Sequence, residues 1–307
     1  MNVFNRILAS ALPIIPKPIV RKVSERYIAG ATLDDAMRTV RSLNAKGAMA
    51  TIDVLGEFIR SLEEARTNTQ HSCEVLRRLK HDGVQGNLSI KLTSLGLAID
   101  PDICEKNVRE ILVTAREHGN IFVRIDMENS PYTTQTIDLY RTLRREFTNV
   151  GVVLQAYLKR TPADIHALLA EGASNGLKTN VRLCKGIYVE PETIAFQRRE
   201  EVQNNYLECL ETLFSNGAYV GIATHDEVLL HGATRLIEKY HLAHDAFEFQ
   251  MLLGVREQAR DRLIRFGFRM RIYVPFGEDW YGYSVRRLKE NPKMAGYIVK
   301  ALFTGSK

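Results

Sequence analysis

Short apolar or alternating runs recur along the chain, and each one ends in polar residues before a helical pattern begins. Runs of this kind predict strands, whereas apolar positions spaced three and four apart predict amphipathic helices between them. The predicted strands cover residues 48–54, 86–92, 121–127, 151–156, 178–183, 219–224, 246–252 and 269–274. The predicted helices cover residues 57–80, 101–118, 133–147, 162–170, 191–214, 227–240 and 256–266.

Strands that alternate with helices pair in parallel through right-handed crossovers. Eight such strands predict an α/β fold, a TIM-type (βα)8 barrel, and 307 residues are enough to build one. A doubly wound sheet is the alternative, but it usually has a glycine-rich turn after its first strand, and Val54-Leu55-Gly56-Glu57 is not such a turn. We expect a helical leader over 1–45, a barrel domain over 46–307 and a C-terminal helix after strand eight.

The composition is that of an ordinary globular protein, with 45% hydrophobic and 25% charged residues. The four cysteines form no CxxC pair and no recognisable disulfide framework, and the start of the chain has no adequate secretion signal. These features predict a reducing compartment and a cytoplasmic location.

The net charge of +6 is concentrated at the start of the chain, where Arg6, Lys17, Arg21, Lys22 and Arg26 face only one carboxylate. No basic stripe with interleaved aromatic residues follows, so a nucleic-acid partner is not expected. The basic, apolar leader favours an amphipathic helix packed on the domain. The alternative is peripheral contact with the anionic inner surface of a membrane.

Charged residues follow most of the predicted strands, in the place where a barrel gathers its functional groups. Lys91 lies at the end of the second strand, Asp126 at the end of the third, Arg182 and Lys185 at the end of the fifth, and His225 at the end of the sixth. Each of these residues has an ordinary structural interpretation when it is taken alone. A ring of desolvated charges, however, needs partners or a ligand.

A metal site is the first possibility at these strand ends. Asp126, Glu128, His225 and Glu248 carry ligating groups, but they lack the HxH or HExxH spacing. The neighbouring cations Lys91, Arg182 and Lys185 would repel a metal ion. We therefore predict no metal and an anionic ligand.

Tyr283, Arg286, Arg287 and Glu290 share one face of the helix predicted after strand eight. Two adjacent guanidinium groups bind a carboxylate in bidentate fashion. An exposed Arg286–Glu290 pair explains the same spacing, and the pattern does not decide between the two.

The chain resembles proline dehydrogenase over roughly residues 45–292, with the spacing of the single-function bacterial enzymes. The resemblance rests on four segments in this order: Arg182-Leu183-Cys184-Lys185-Gly186-Ile187-Tyr188, Ala223-Thr224-His225-Asp226, Phe247-Glu248-Phe249-Gln250 and Tyr283-x-x-Arg286-Arg287-x-x-Glu290. Ile187 is a departure, because a smaller residue is common at that position in the family.

The resemblance implies a flavoenzyme that oxidises L-proline to Δ1-pyrroline-5-carboxylate by hydride transfer to FAD. The residues it implies for FAD binding are Met127, Gln155, Arg182, Lys185, Gly186, Ile187, Thr224 and His225. The residues it implies for substrate binding are Lys91, Leu252, Tyr273, Tyr283, Arg286 and Arg287. Asp126 and Arg182 take the catalytic positions, with Asp126 organising Lys91 and the charge balance of the site.

The resemblance also implies two partners, a membrane quinone as electron acceptor and a separate pyrroline-5-carboxylate dehydrogenase. The chain lacks the aldehyde-dehydrogenase half and the DNA-binding module of the family's fused members. Two other functions remain open, a Schiff-base lyase or aldolase with Lys91 or Lys185 as nucleophile, and a carboxylate-binding protein without activity.

Overall fold

The computed structural model describes residues 25–56, 59–281, 283 and 284. Within them, eight parallel strands close into a barrel in sequence order, with β1 pairing to both β2 and β8. The strands are β1 Met49–Val54, β2 Gly86–Ile90, β3 Val123–Ile125, β4 Val150–Gln155, β5 Asn180–Cys184, β6 Tyr219–Ala223, β7 Phe247–Leu252 and β8 Met270–Phe276. The predicted (βα)8 barrel is confirmed.

Helices lie before the first strand and between successive strands. They are α1 Leu33–Asn44, α2 Leu62–Asp82, α3 Pro101–Glu117, α4 Thr133–Leu143, α5 Thr161–Asn175, α6 Arg199–Ser215, α7 Glu227–Lys239 and α8 Glu257–Arg265. Short 3-10 helices, Thr93–Leu95 and Ser130–Tyr132, follow β2 and β3. After β8, residues 280, 281, 283 and 284 are helical, as expected for the start of the C-terminal helix.

The helix predicted over 191–214 begins later than its sequence pattern suggested, at Arg199. Before it, the chain runs beside the loop after β4, and Leu158 and Ala195 form an isolated antiparallel bridge. The Phe196 N–H donates to the Tyr157 carbonyl at 2.8 Å. Pro191 therefore starts a turn rather than a helix, because its carbonyl accepts from the N–H groups of Ile194 and Ala195.

The helix before the barrel, α1, begins with a capping box in which Thr32 and Asp35 satisfy each other's backbone N–H groups. Its Met37 and Val40 are fully buried and belong to the same hydrophobic core as the strands. Residues 1–24 lie outside the described residues. The division into a leader over 1–45 and a barrel domain over 46–307 stays a prediction.

The interior of the barrel is unusually polar, since barrels of this class are mostly filled with branched apolar residues. Arg124 of β3 is buried and donates to the carbonyls of Val152 and Asn180. Burial lowers its pKa to about 9, and Arg182 adds to the effect. Arg271 of β8 pairs with Glu248 of β7 in the same interior. Buried charges of this kind need partners, and here neighbouring strands supply them.

Candidate active site at the mouth of the barrel

Asp126, which follows β3, receives hydrogen bonds from three other strands at the C-terminal end of the barrel. Its Oδ1 accepts from Ser89 Oγ at 2.9 Å and from Arg182 Nη1 at 2.8 Å. Its Oδ2 accepts from the Tyr273 hydroxyl at 2.9 Å. Burial raises the pKa of Tyr273 well above its ordinary value, and nearby Asp126 adds to the shift, so the phenol remains a donor. The structure thus brings Asp126, Arg182 and Tyr273 together.

Lys91 is the second cation of this cluster. Its Nζ lies 2.6 Å from Asp53 Oδ1 and 3.9 Å from Asp126 Oδ2, and it donates to the Tyr273 hydroxyl at 3.3 Å. Asp53, at 1% exposure, was missing from the sequence prediction although it interrupts the apolar run 48–54. A carboxylate inside a buried strand was the signal that could have identified it.

The Arg182 guanidinium is held by two of its three nitrogens. Its Nε donates to Gln250 Oε1, and its Nη1 donates to Asp126 and to Ser89 Oγ at 3.1 Å. Its Nη2 is buried and has no hydrogen-bond partner among the described residues. A buried donor left unsatisfied costs about 1–3 kcal/mol, and more when it is charged. The orphaned Nη2 is therefore available to an acceptor that the described residues do not supply.

A second charged cluster surrounds Asp226, the N-cap residue of α7. Its carboxylate lies 3.4 Å from Lys185 Nζ and 3.1 Å from Arg199 Nη2, and it accepts from Gln203 Nε2 at 3.0 Å. Burial alone would raise the pKa of Asp226, but Gln203, Lys185 and Arg199 outweigh it and lower the pKa. Lys185 is partly exposed, with 42% of its side chain accessible. Its ammonium therefore remains accessible to an anionic ligand.

We expect Asp226→Ala to lower the free energy of unfolding by about 1–2 kcal/mol, because α7 loses its cap to the Val228 N–H. The matched control is Asp226→Asn, since asparagine caps a helix as well as aspartate does. Urea unfolding at neutral pH measures both. An equal loss in the two variants would contradict the capping argument and assign the effect to the charge.

His225 and Thr224 both accept hydrogen bonds from the backbone. His225 Nε2 accepts from the Leu252 N–H at 2.9 Å, which places the imidazole proton on Nδ1 and joins β6 to β7. The hydroxyl of Thr224 accepts from the Asp226 N–H at 3.1 Å and keeps its own hydrogen for donation. The sequence-predicted residues Thr224, His225 and Leu252 are thus neighbours on this side of the mouth.

The remaining residues predicted for the cofactor lie at the ends of β3 to β5. Gln155 Nε2 donates to the Glu128 carbonyl at 2.9 Å, and Met127 is buried. Gly186 has φ +104°, and a Cβ there would lie 2.1 Å from the Tyr157 ring. Packing against Tyr157 thus requires this glycine independently of any ligand. Ile187 beside it is 39% exposed.

Tyr283 is buried and packs with Ile28 and Leu55, next to Trp280. Arg286 and Arg287, which the sequence predicted to bind a carboxylate, lie outside the described residues.

Within the described part of the chain, no group of three or more histidine, cysteine, aspartate or glutamate residues could hold a metal ion. Fold and site together define a β/α-barrel with a cluster of paired charges at its C-terminal mouth, the place where enzymes of this fold carry their active sites.

Comparison with known proteins gives the family. The profile of the family described as "Proline dehydrogenase" matches residues 36–299. Proline dehydrogenase 2 of Bacillus subtilis strain 168 is 38% identical over 282 residues, which cover 92% of this chain and 91% of that protein. Proline dehydrogenase of Deinococcus radiodurans is 34% identical over 288 residues, which cover 92% of this chain and 91% of that protein. The chain belongs to the proline dehydrogenase family, and it is an enzyme of proline oxidation.

A solved structure supports the same assignment. The crystal structure of proline utilization A (PutA) from Bdellovibrio bacteriovorus, inactivated by N-propargylglycine, matches with a TM-score of 0.84 and 27% identity. The match covers 88% of this chain and 33% of that much longer chain. None of the helices that the structure describes is both long and apolar enough to cross a membrane.

Proposed function

We propose that this enzyme oxidises L-proline to Δ1-pyrroline-5-carboxylate with FAD as hydride acceptor, the first step in the catabolism of proline to glutamate. The observation that carries the proposal is Arg182 Nη2, a buried cationic donor without a partner in the described part of the chain. Because it lies beside Lys91, Asp126 and Tyr273, it supports a ligand with an acceptor group at the centre of the mouth.

The residues present fit FAD. Arg182 would face the acceptor edge of the isoalloxazine and stabilise negative charge there. Lys185, with its accessible ammonium, would pair with the pyrophosphate beside Gly186 and Ile187. Thr224 and His225 would add hydrogen bonds to the cofactor, and the Thr224 hydroxyl would donate because its oxygen already accepts from the Asp226 N–H. Gln155 and Met127 would border the ring. FAD, when bound, supplies the hydride acceptor that side chains cannot provide.

The chain's own residues would bind and orient the substrate. Lys91, together with Arg286 and Arg287 of the sequence pattern, would bind the carboxylate of proline and so fix the position of its ring. Asp126 holds Arg182 and Tyr273 by hydrogen bonds and balances the charge of Lys91. Tyr273, Tyr283 and Leu252 would shape the pocket around the ring.

The contacts of Lys91 argue against a Schiff-base lyase or aldolase. An amine attacks a carbonyl only as the neutral base. Lys91 lies between the carboxylates of Asp53 and Asp126, at 2.6 Å and 3.9 Å, and this arrangement stabilises an ammonium. Lys185 likewise pairs with Asp226.

The proposal includes the surroundings of the enzyme. A membrane quinone would reoxidise the flavin, and a separate pyrroline-5-carboxylate dehydrogenase would consume the product. Both fit a cytoplasmic enzyme that works at the inner membrane surface, with the basic leader as the contact. Co-sedimentation with anionic and neutral vesicles at low and high salt measures that contact.

We expect the purified protein to be yellow, with FAD bound non-covalently. The physical reason is that the cations Arg182 and Lys185 offer charge-assisted contacts to the ring and the pyrophosphate. The visible absorption spectrum is the measurement, followed by heat or acid release and identification of the flavin. Proline added without oxygen should bleach the flavin absorbance.

The matched control is trans-4-hydroxy-L-proline, which we expect to bleach the flavin more slowly because its hydroxyl meets the aromatic ring of Tyr273. A colourless protein that added FAD does not reconstitute would overturn the proposed function. A protein that binds FAD but is not reduced by proline would overturn the substrate.

A further inference from the structure

Glu248 and Gln250 lie on the inward face of β7, between one arginine below and one above. Below, Arg271 donates to the Glu248 carboxylate through Nε at 2.6 Å and through Nη2 at 3.0 Å, and the Tyr219 hydroxyl donates at 2.9 Å. Above, the Gln250 amide contacts Arg182. An unbroken row of side-chain contacts therefore joins the bottom of the barrel to its mouth.

The contacts of the Gln250 amide permit a single orientation. Its oxygen accepts from Arg182 Nε, and its nitrogen donates to Glu248 Oε1. A flipped amide would bring its nitrogen to the guanidinium and its oxygen to the carboxylate, so both contacts would be repulsive. Space for the amide comes from Gly221 of β6, where a Cβ would lie 2.4 Å from Gln250 Nε2.

Asp126 alone does not fix the plane of the Arg182 guanidinium. The carboxylate of Asp126 is shared with Ser89, Tyr273 and the ammonium of Lys91. Its bond to Nη1 holds one corner of the guanidinium, and a planar group needs a second anchor to be fixed. The Gln250 oxygen provides that anchor at Nε.

We propose that Glu248 and Gln250 are positioning residues, which hold the Arg182 guanidinium so that its Nη2 stays in place at the mouth. What this positioning achieves, a donor held toward the flavin, rests on the proposed function. Glu248 remains an acceptor at every working pH, since the charge and hydrogen bonds of Arg271 and those of Gln250 and Tyr219 outweigh its burial and lower its pKa to about 2.

Gln250→Met tests the anchor directly, because methionine has a similar volume and leaves the Glu248–Arg271 pair intact. The measurement is hydrogen exchange of the Arg182 Nε–H in ¹H–¹⁵N spectra of the purified full-length chain, assigned by its loss in Arg182→Lys. We expect exchange to become about tenfold faster or more in Gln250→Met. A wild-type exchange rate in that variant would overturn the proposal.

Two further variants separate positioning from general damage. The swap Glu248→Gln with Gln250→Glu keeps an acceptor facing Arg182 and a donor between the two residues, so we expect protection of the Nε–H to return. The control Thr51→Val removes the buried hydrogen bond between Thr51 and Asn87, which is not part of this row. It should leave the exchange rate of the Arg182 Nε–H unchanged. Fast exchange in both Gln250→Met and Thr51→Val would instead assign the faster exchange to a general loss of stability, and would overturn the proposal.

The flavin gives a second readout that a merely structural role would not change. If the positioned Arg182 stabilises the reduced flavin, Gln250→Met should favour the oxidised form about tenfold, a fall of about 30 mV for a two-electron couple. An unchanged potential would contradict the purpose of the positioning. A chain that binds no flavin would instead overturn the proposed function, and the exchange rates would still decide whether the two residues hold Arg182.

Discussion

Arg182→Met is expected to reduce kcat for proline by a factor of about 10²–10³, the usual effect of removing one preorganised charged donor from an active site. The side chain sits at the centre of the mouth, with Nε and Nη1 occupied and Nη2 buried without a partner among the described residues. In the proposed function its interaction with developing negative charge is strongest in the transition state, so kcat should fall more than KM rises. Steady-state kinetics at saturating acceptor measure both constants.

The matched control is Arg182→Lys, which keeps the positive charge but loses the planar fork that reaches both Gln250 and Asp126. We expect it to recover a part of the activity and to retain the FAD of the proposed function. Melting temperatures of both variants show whether the fold is intact. Wild-type kcat in a folded Arg182→Met variant would remove Arg182 from the catalytic machinery.

Glu248→Ala is expected to lower the free energy of unfolding by about 3–5 kcal/mol, because it leaves the buried charge of Arg271 without its partner. Urea unfolding at pH 7 measures the loss. The control is the double change Glu248→Met with Arg271→Met, which removes both charges and should recover most of the stability. A double variant as unstable as the single one would contradict the charge-pair explanation.

The same pair gives a pH signature with a defined sign. The pKa of Glu248 falls from the usual 4.5 to about 2 in the folded protein. Its charge therefore contributes fully to the free energy of unfolding above pH 4.5. This contribution is lost as the pH falls towards 2, and it amounts to about 3 kcal/mol. As the pH is lowered across this range, the free energy of unfolding of the wild type should therefore fall by this amount relative to the double variant, which has no carboxylate at position 248. Parallel curves would mean that Glu248 does not keep its charge.

The elements of this protein follow directly from its local sequence. Strands such as β7 read as short apolar runs, and helices such as α3 begin at a proline after a capping aspartate, Asp100. These signals are local, because the side-chain period and the capping groups act within a few residues. The alternation of strands and helices then leaves few topologies, and the strand ends together with the family resemblance extend the prediction to Lys91, Asp126, Arg182 and Tyr273.

The partners of those residues were decided by the tertiary structure. Asp53 reaches Lys91 because barrel closure pairs β1 with both β2 and β8. In that register Asp53 lies opposite Ser89 of β2 and Pro275 of β8. Gln250 reaches Arg182 across β6, where Gly221 leaves the space. The start of α6 moved to Arg199 because the preceding residues pair with the loop after β4. All three depend on contacts between residues far apart in the chain, which local periodicity does not encode.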